Sequence, residues 1–382
     1  MILRIEEIQE AASKVLKAVD ANSLSTLTET LELSTEGNNL VLAITNREYF
    51  VRIKIAVGEV EEFKATVNAN VFLKLIAQTT TDTIQLTLKD TYMEFKGNGT
   101  YKLPLIFDGD KLLDLPEITI QNETVAFDIS NSTLDTIAKY NSKELLKGVF
   151  ADPVQRLYYV DDKGCITFTT GACINSFSLP QKVRFLLNDR IVRLFKLFKS
   201  DMVHFALGYD MGSNGVIQTK VKFEADGVCI TAILICDDTM LDSVPIDLLR
   251  ETAEDIYPYS ITVNKDELSR CLSRLLLFAN KNDLSLKSKF EFGADMVKVW
   301  DTKGENFESL YYSNSLSNLT EPYVATLDIT ELKTTVDSCF EPNLVIRFGN
   351  ESALVLVSRP NILNVIPEIV CQETEENSSR IN

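Results

Sequence analysis

A short phrase, apolar residues around an acidic or amide side chain and closed by proline, occurs three times in this chain and divides it into thirds. The copies are Lys111-Leu112-Leu113-Asp114-Leu115-Pro116, Thr239-Met240-Leu241-Asp242-Ser243-Val244-Pro245 and Asn361-Ile362-Leu363-Asn364-Val365-Ile366-Pro367. Their prolines lie 129 and then 122 residues apart. A unit repeated at that period points to three like modules of ordinary domain size. Each phrase follows a run rich in β-branched and apolar residues (101–107, 228–236 and 353–357), so each is expected to be a strand exit. Proline suits an exit because it has no N–H to give a central ladder.

Two helical patterns recur in each third. The first set is predicted over residues 5–19, 132–145 and 265–279, where apolar positions such as Ile5, Ile8, Ala12 and Val15, or Leu268, Cys271, Leu272 and Leu275, fall at helical spacing. Asn131 and Asn264 are the expected N-caps. The second set is predicted over 70–78, 189–198 and 329–338. Short alternating runs bounded by Gly, Asn and Asp fill the intervals, which gives a module of two helices and about eight strands. The expected domains are 1–122, 123–250 and 251–371, followed by a polar, acidic, flexible tail over 372–382.

Composition narrows the function classes. Hydrophobic residues make up 45% and charged residues 24%, and no apolar run approaches the ~20 residues of a membrane-spanning helix. Glu6 and Glu7 stand where a signal peptide needs basic residues, so a soluble cytoplasmic protein is expected. Seven scattered cysteines, none in a C-x-x-C pair, read as reduced thiols.

Enzyme chemistry has little support. The one histidine, His204, sits in a strand-like run, and no phosphate-loop, serine-elbow or zinc-helix pattern occurs. Asp108-Gly109-Asp110 and Asp237-Asp238 are explained by turns, so no metal, cofactor or catalytic residue is expected.

The net charge of -17 excludes adhesion to nucleic acid over the whole surface but not through one basic face. In Asp189-Arg190-Ile191-Val192-Arg193-Leu194-Phe195-Lys196-Leu197-Phe198-Lys199, helical spacing puts the apolar side chains on one half and the four cations on the other. A β-rich assembly or virion protein with no DNA role would account for the strands and the acidity, but not for that stripe.

Over essentially its whole length the chain resembles the beta sliding clamp of bacterial replicative polymerases. The similarity lies in Val67-Asn68-Ala69-Asn70-Val71-Phe72-Leu73-Lys74-Leu75-Ile76, in Ile166-Thr167-Phe168-Thr169-Thr170-Gly171-Ala172-Cys173-Ile174-Asn175-Ser176, and in Glu267-Leu268-Ser269-Arg270-Cys271-Leu272-Ser273-Arg274. The resemblance implies an α+β DNA clamp fold of three repeated domains, each with two helices packed on antiparallel sheets. It also implies a head-to-tail homodimer closed into a ring around double-stranded DNA. A clamp makes no bonds; it tethers a DNA polymerase topologically and depends on an ATP-driven clamp loader.

Phosphate contacts without base reading are then expected from cations on the helices lining the hole. These are Lys14, Lys17, Lys74, Lys139, Lys143, Arg190, Arg193, Lys196, Lys199, Arg270, Arg274 and Lys333. Partner peptides of the family enter an apolar pocket, for which this chain would supply Thr170, Gly171, Ala172, Cys173, Ile174, Val244, Pro245, Val365, Ile366 and Pro367. Ala172-Cys173 replaces a His-Arg pair common in the family, so a different peptide is expected.

Overall fold

The computed structural model describes residues 1–19, 25–58, 62–141, 153–211, 215, 217–234, 238–279, 286–316 and 318–369. Among these residues there are eight α-helices: α1 (Ile5–Ala18), α2 (Ala69–Gln78), α3 (Asn131–Tyr140), α4 (Asp189–Leu194), α5 (Asp238–Asp242), α6 (Ile246–Glu254), α7 (Lys265–Leu275) and α8 (Ile329–Ser338). Two compact units form, Met1–Asp135 with Pro180–Asp237, and Thr136–Leu179 with Asp238–Asn382.

The first unit holds an eight-stranded antiparallel sheet in the order Glu123–Ser130, Met202–Met211, Ile217–Ala225, Val228–Leu234, Tyr49–Ala56, Asn39–Thr45, Thr30–Glu36 and Lys64–Asn68. Its middle seam joins strands from two successive repeats, with Ile230 opposite Val51. A four-stranded sheet (Ile2–Arg4, Thr83–Leu88, Tyr92–Lys96, Thr100–Pro104) completes the unit. Ile8, Val15, Phe72 and Ile76, all at most 1% exposed, form the buried stripes of α1 and α2, which pack together. Gln9 ties the two by donating to the carbonyls of Ile76 and Thr79 at 3.0 and 2.9 Å.

The second unit repeats this plan. Seven of its strands follow in the order Leu157–Asp161, Gly164–Phe168, Ala172–Ser176, Ile362–Pro367, Ala353–Arg359, Asn343–Phe348 and Tyr259–Asn264, and the seam between repeats pairs Ala172 with Val365. A four-stranded sheet runs Phe307–Tyr311, Met296–Trp300, Lys287–Phe292, Tyr323–Asp328. Under it, Phe292 and Phe348 stack at 4.2 Å in a core that includes Leu272 and Val336. Burial of such aromatics stabilises a domain by about 3 kcal/mol each.

The repeat is most exact where a strand runs straight into a helix. Side chains of Asn68, Asn188, Asn264 and Asp328 accept from the backbone N–H groups of Val71, Ile191, Glu267 and Glu331 at 2.9–3.1 Å, satisfying donors that have no partner within the helix. Asn264 is therefore the expected cap. Asn131 is not: it is the first residue of α3, and Ser130 Oγ accepts from Thr133 N at 3.1 Å instead. The second helical pattern of the middle third also shortens. α4 ends at Leu194 and tightens into a 3-10 turn, as α7 does at Leu276–Phe278, and Asn131 donates to the carbonyls of Phe198 and Asp201 just beyond it.

The phrase that defined the repeat takes three different structures. Lys111–Leu112 forms a two-residue strand against Phe107–Asp108, Thr239–Asp242 lies in α5, and Ile362–Pro367 is a strand throughout. The expected strand exit is thus wrong for the third copy, whereas the second follows the end of the strand Val228–Leu234 and leaves the sheet. The third is held on both sides, by Ala172–Ser176 and by Ala353–Arg359, and a doubly paired segment cannot leave the sheet.

Between repeats, the linker before Glu123 is strapped to the long sheet by Asp210. Its carboxylate, in a residue 3% exposed, accepts from the backbone of Gln121 and Asn122 at 3.0 Å and pairs with Lys220 at 3.1 Å. Gly208 permits this approach, since a Cβ there would meet the carbonyl of Asn122 at 2.6 Å. Burial pushes the Asp210 carboxyl up, but the bonds from Gln121, Lys220 and Asn122 outweigh it and hold it below its ordinary value.

A lowered folded-state pKa stabilises the protein above the unfolded value of about 4, and that contribution is lost as pH falls through the folded value. Asp210→Ala should destabilise the first unit by about 3 kcal/mol, since Lys220 loses its partner. Urea unfolding at pH 7 should show the loss, and the difference from wild type should shrink at pH 3. An equal difference at both pH values would contradict this account.

Candidate nucleic-acid interface

Most of the described cations expected from sequence are exposed on the module helices or the turns that follow them, and Lys14 and Lys333 are half-buried. Around α4, Ile191, Val192, Leu194, Phe195 and Leu197 are buried while Arg190, Arg193, Lys196 and Lys199 are exposed. On α7, Leu268, Cys271, Leu272 and Leu275 are buried, and Arg270 and Arg274 are exposed. Lys143 lies outside the described residues.

Lys14, Lys199, Arg190, Arg193, Arg274 and Lys333, six of the eleven described candidates, are engaged by carboxylates. Lys14 and Lys199 share Glu10 at 3.3 and 2.9 Å and hold its carboxyl below its ordinary value. Arg190 binds Glu48 at 3.0 Å, Arg193 binds Asp189, Arg274 binds Glu308 at 2.7 Å, and Lys333 binds Asp337. Lys17, Lys74, Lys196 and Arg270 are exposed and make no ion pair among the described residues. Lys139 is exposed as well.

Two of these carboxylates, Glu48 and Glu308, lie far in sequence from their partners and had no signal there. The others had one, because Glu10 and Lys14, Asp189 and Arg193, and Lys333 and Asp337 are four residues apart on helices.

The ten residues assigned to a partner pocket divide among three environments. Ala172, Ile174 and Val365 share one buried patch, against which Ile246 and Leu249 of α6 pack. Cys173 turns to the opposite side, with Tyr140 and Ile362, and Ile366 belongs to the core beneath α7 and α8. Val244 is buried at 6%, while Thr170 and Pro245 are exposed and Pro367 is half-buried. Gly171 lets Glu331 of α8 close in, since a Cβ there would meet Glu331 Oε1 and the Val365 carbonyl, both at 2.5 Å. The accessible part of the patch is thus governed by α6, a helix absent from the two helical patterns expected in each third.

Among the described residues no group of three or more His, Cys, Asp or Glu could hold a metal ion. His204 is exposed on its strand and lies 2.9 Å from Asp128. Cys165, Cys173, Cys229, Cys271 and Cys339 form no disulfide, and burial pushes Cys271 up to about 12. No helix among the described residues is long and apolar enough to cross a membrane.

No family model matches the chain. A stretch of 122 residues, 31% of this chain, is 28% identical to the beta sliding clamp of Mycoplasmopsis pulmonis (strain UAB CTIP), and the match spans about a third (31%) of that relative's length. Solved structures match far more of it. DNA polymerase III subunit beta from Pseudomonas aeruginosa covers 97% of this chain and 100% of its own at 13% identity and a TM-score of 0.78. The Borrelia burgdorferi subunit covers 97% and 98% at 16% identity and 0.74, and the Thermotoga maritima subunit 97% and 99% at 13% and 0.75.

The chain therefore has a DNA clamp fold. Within that class it is the fold of the bacterial beta clamp, the DNA polymerase III beta subunit.

Proposed function

We propose that this chain is a DNA sliding clamp that encircles duplex DNA without sequence specificity and tethers a replicative DNA polymerase. One observation carries the reading: the coincidence of 97% of the chain with DNA polymerase III beta subunits from three distant bacteria. The clamp is built of three modules, 1–122, 123–250 and 251–371, and acts in the cytoplasm without bond chemistry of its own. An ATP-driven loader opens it. Lys17, Lys74, Lys196 and Arg270 make the first contacts with phosphate, and the paired cations join when DNA competes for them.

Two copies close head to tail. Each unit leaves an edge strand with open backbone groups, Thr100–Pro104 in the first and Phe307–Tyr311 in the second. Exposed apolar side chains accompany them: Tyr101 at 42% on the first edge, and Leu277 and Phe278 at 80% and 50% beyond α7, which packs on the second. Pairing one edge with the other in a second copy repeats by symmetry and closes. Partner peptides dock at Ala172, Ile174 and Val365 once α6 yields, with Thr170, Pro245 and Pro367 at the rim.

Solution mass and negative-stain imaging of the purified chain test the reading together. The expected result is a particle of twice the 42.9 kDa chain mass with a central hole wide enough for duplex. A monomer, or a large open polymer, would refute it.

A further inference from the structure

The outer face of the four-stranded sheet in the second unit has a composition that a clamp's tethering role does not require. Strand alternation sends Phe290, Phe292, Val297, Val299, Leu310, Ala325 and Leu327 into the core. The opposite face carries Lys287, Lys289 and Glu291 on one strand, Lys298 and Trp300 on the next, and Phe307 and Tyr311 on the edge. Register aligns them in rows: Glu291 opposite Lys298, Trp300 opposite Phe307, Met296 opposite Tyr311. Phe307 is 50% exposed and Tyr311 71%.

Three lysines face two carboxylates here, Glu291 and, opposite Lys287 on the fourth strand, Asp328, in a chain whose net charge is -17. Lys289 pairs with Glu291, whereas Lys287 and Lys298 have no ion pair among the described residues. Lys303 and Glu305, in the turn above, offset each other. The cations stand over the rings: Lys298 Nζ is 5.5 Å from the centre of Phe307, Lys289 Nζ is 5.9 Å from that of Trp300, and the two rings are 4.8 Å apart.

We propose that this face binds single-stranded nucleic acid, with bases stacked on Phe307, Tyr311 and the rim of Trp300 and phosphates on Lys287, Lys289 and Lys298. Aromatic rings interleaved with cations on an open sheet suit unpaired bases, whose flat faces are free to stack, and not duplex, whose base faces are covered. Charge complementarity selects a polyanion over an apolar peptide. The site is separate from the helix cations, and it uses the outward side chains of Phe307–Tyr311, whereas the subunit pairing takes that strand's open backbone edge.

Trp300 is the chain's one tryptophan, so its fluorescence reports on this face alone. Titrating the full chain with oligothymidylate of 20 nucleotides in 50 mM salt should quench that emission saturably, and oligouridylate will show whether the sugar is discriminated. Tyr311→Ala should weaken binding about tenfold. K287E/K298E, on exposed and half-exposed positions that leave the core intact, should abolish quenching while circular dichroism stays unchanged. A variant lacking the helix cations Lys17, Lys74, Lys196 and Arg270 should quench like wild type. The proposal is overturned by absence of quenching with either oligonucleotide, by quenching that survives K287E/K298E, by equal quenching with duplex, or by self-association as the sole source of the signal.

Discussion

Replacing Leu277 and Phe278 together by glutamate should yield a folded chain of 42.9 kDa where the wild type gives a particle of twice that mass. Both side chains lie in the 3-10 turn that ends α7 and contribute little to the core, as their 80% and 50% exposure shows. Burying each in a subunit contact would stabilise it by about 1.5–3 kcal/mol, and a closed head-to-tail dimer makes that contact twice. Two glutamates add the penalty of charge in an apolar contact. Sedimentation velocity at micromolar concentration reads the outcome, with urea unfolding as a check on folding. If the double variant keeps the wild-type mass, the subunit contact lies elsewhere.

The quadruple variant K17E/K74E/K196E/R270E should retain wild-type mass and stability but lose its hold on DNA. Each cation is exposed on a module helix or the 3-10 turn that follows it and makes no ion pair among the described residues, so reversal breaks no ion pair among them. Each phosphate contact contributes about 0.9 to the slope of log affinity against log salt, so four lost contacts should flatten that slope by about 3 to 4. Retention on nicked circular DNA, measured against sodium chloride concentration, gives the slope directly. The opposite group, Arg190, Arg193, Arg274 and Lys333, serves as the control. Those residues are held by Glu48, Asp189, Glu308 and Asp337, and their reversal should affect stability as well as DNA. A slope unchanged in the quadruple variant would remove the helix faces from the DNA path.

Helix positions were legible in sequence wherever the buried stripe had a clear period, as in α1 and α7. The Asn264 cap was legible too, since an amide before an apolar-periodic run has few other uses. Asn131 misled because Ser130 stands beside it and caps equally well. The closing phrase misled further: three similar strings became a short strand, a helix and a doubly paired strand, according to the neighbours each met. The candidate cations were visible as outward-facing residues, but which of them are engaged was not, because Glu48 is separated from Arg190 by 142 positions.

Local pattern, then, was sufficient for the repeat, the helix faces and the acidic balance, since periodicity and charge are properties of neighbouring residues. Only the tertiary structure decided that the repeats join through continuous sheets, that α6 covers the Ala172 patch and that cations such as Arg190 and Arg274 already have carboxylate partners. Strand pairing and ion pairing bring together residues far apart in the chain, and the energy that selects among such pairings comes from burial and geometry that no single segment contains.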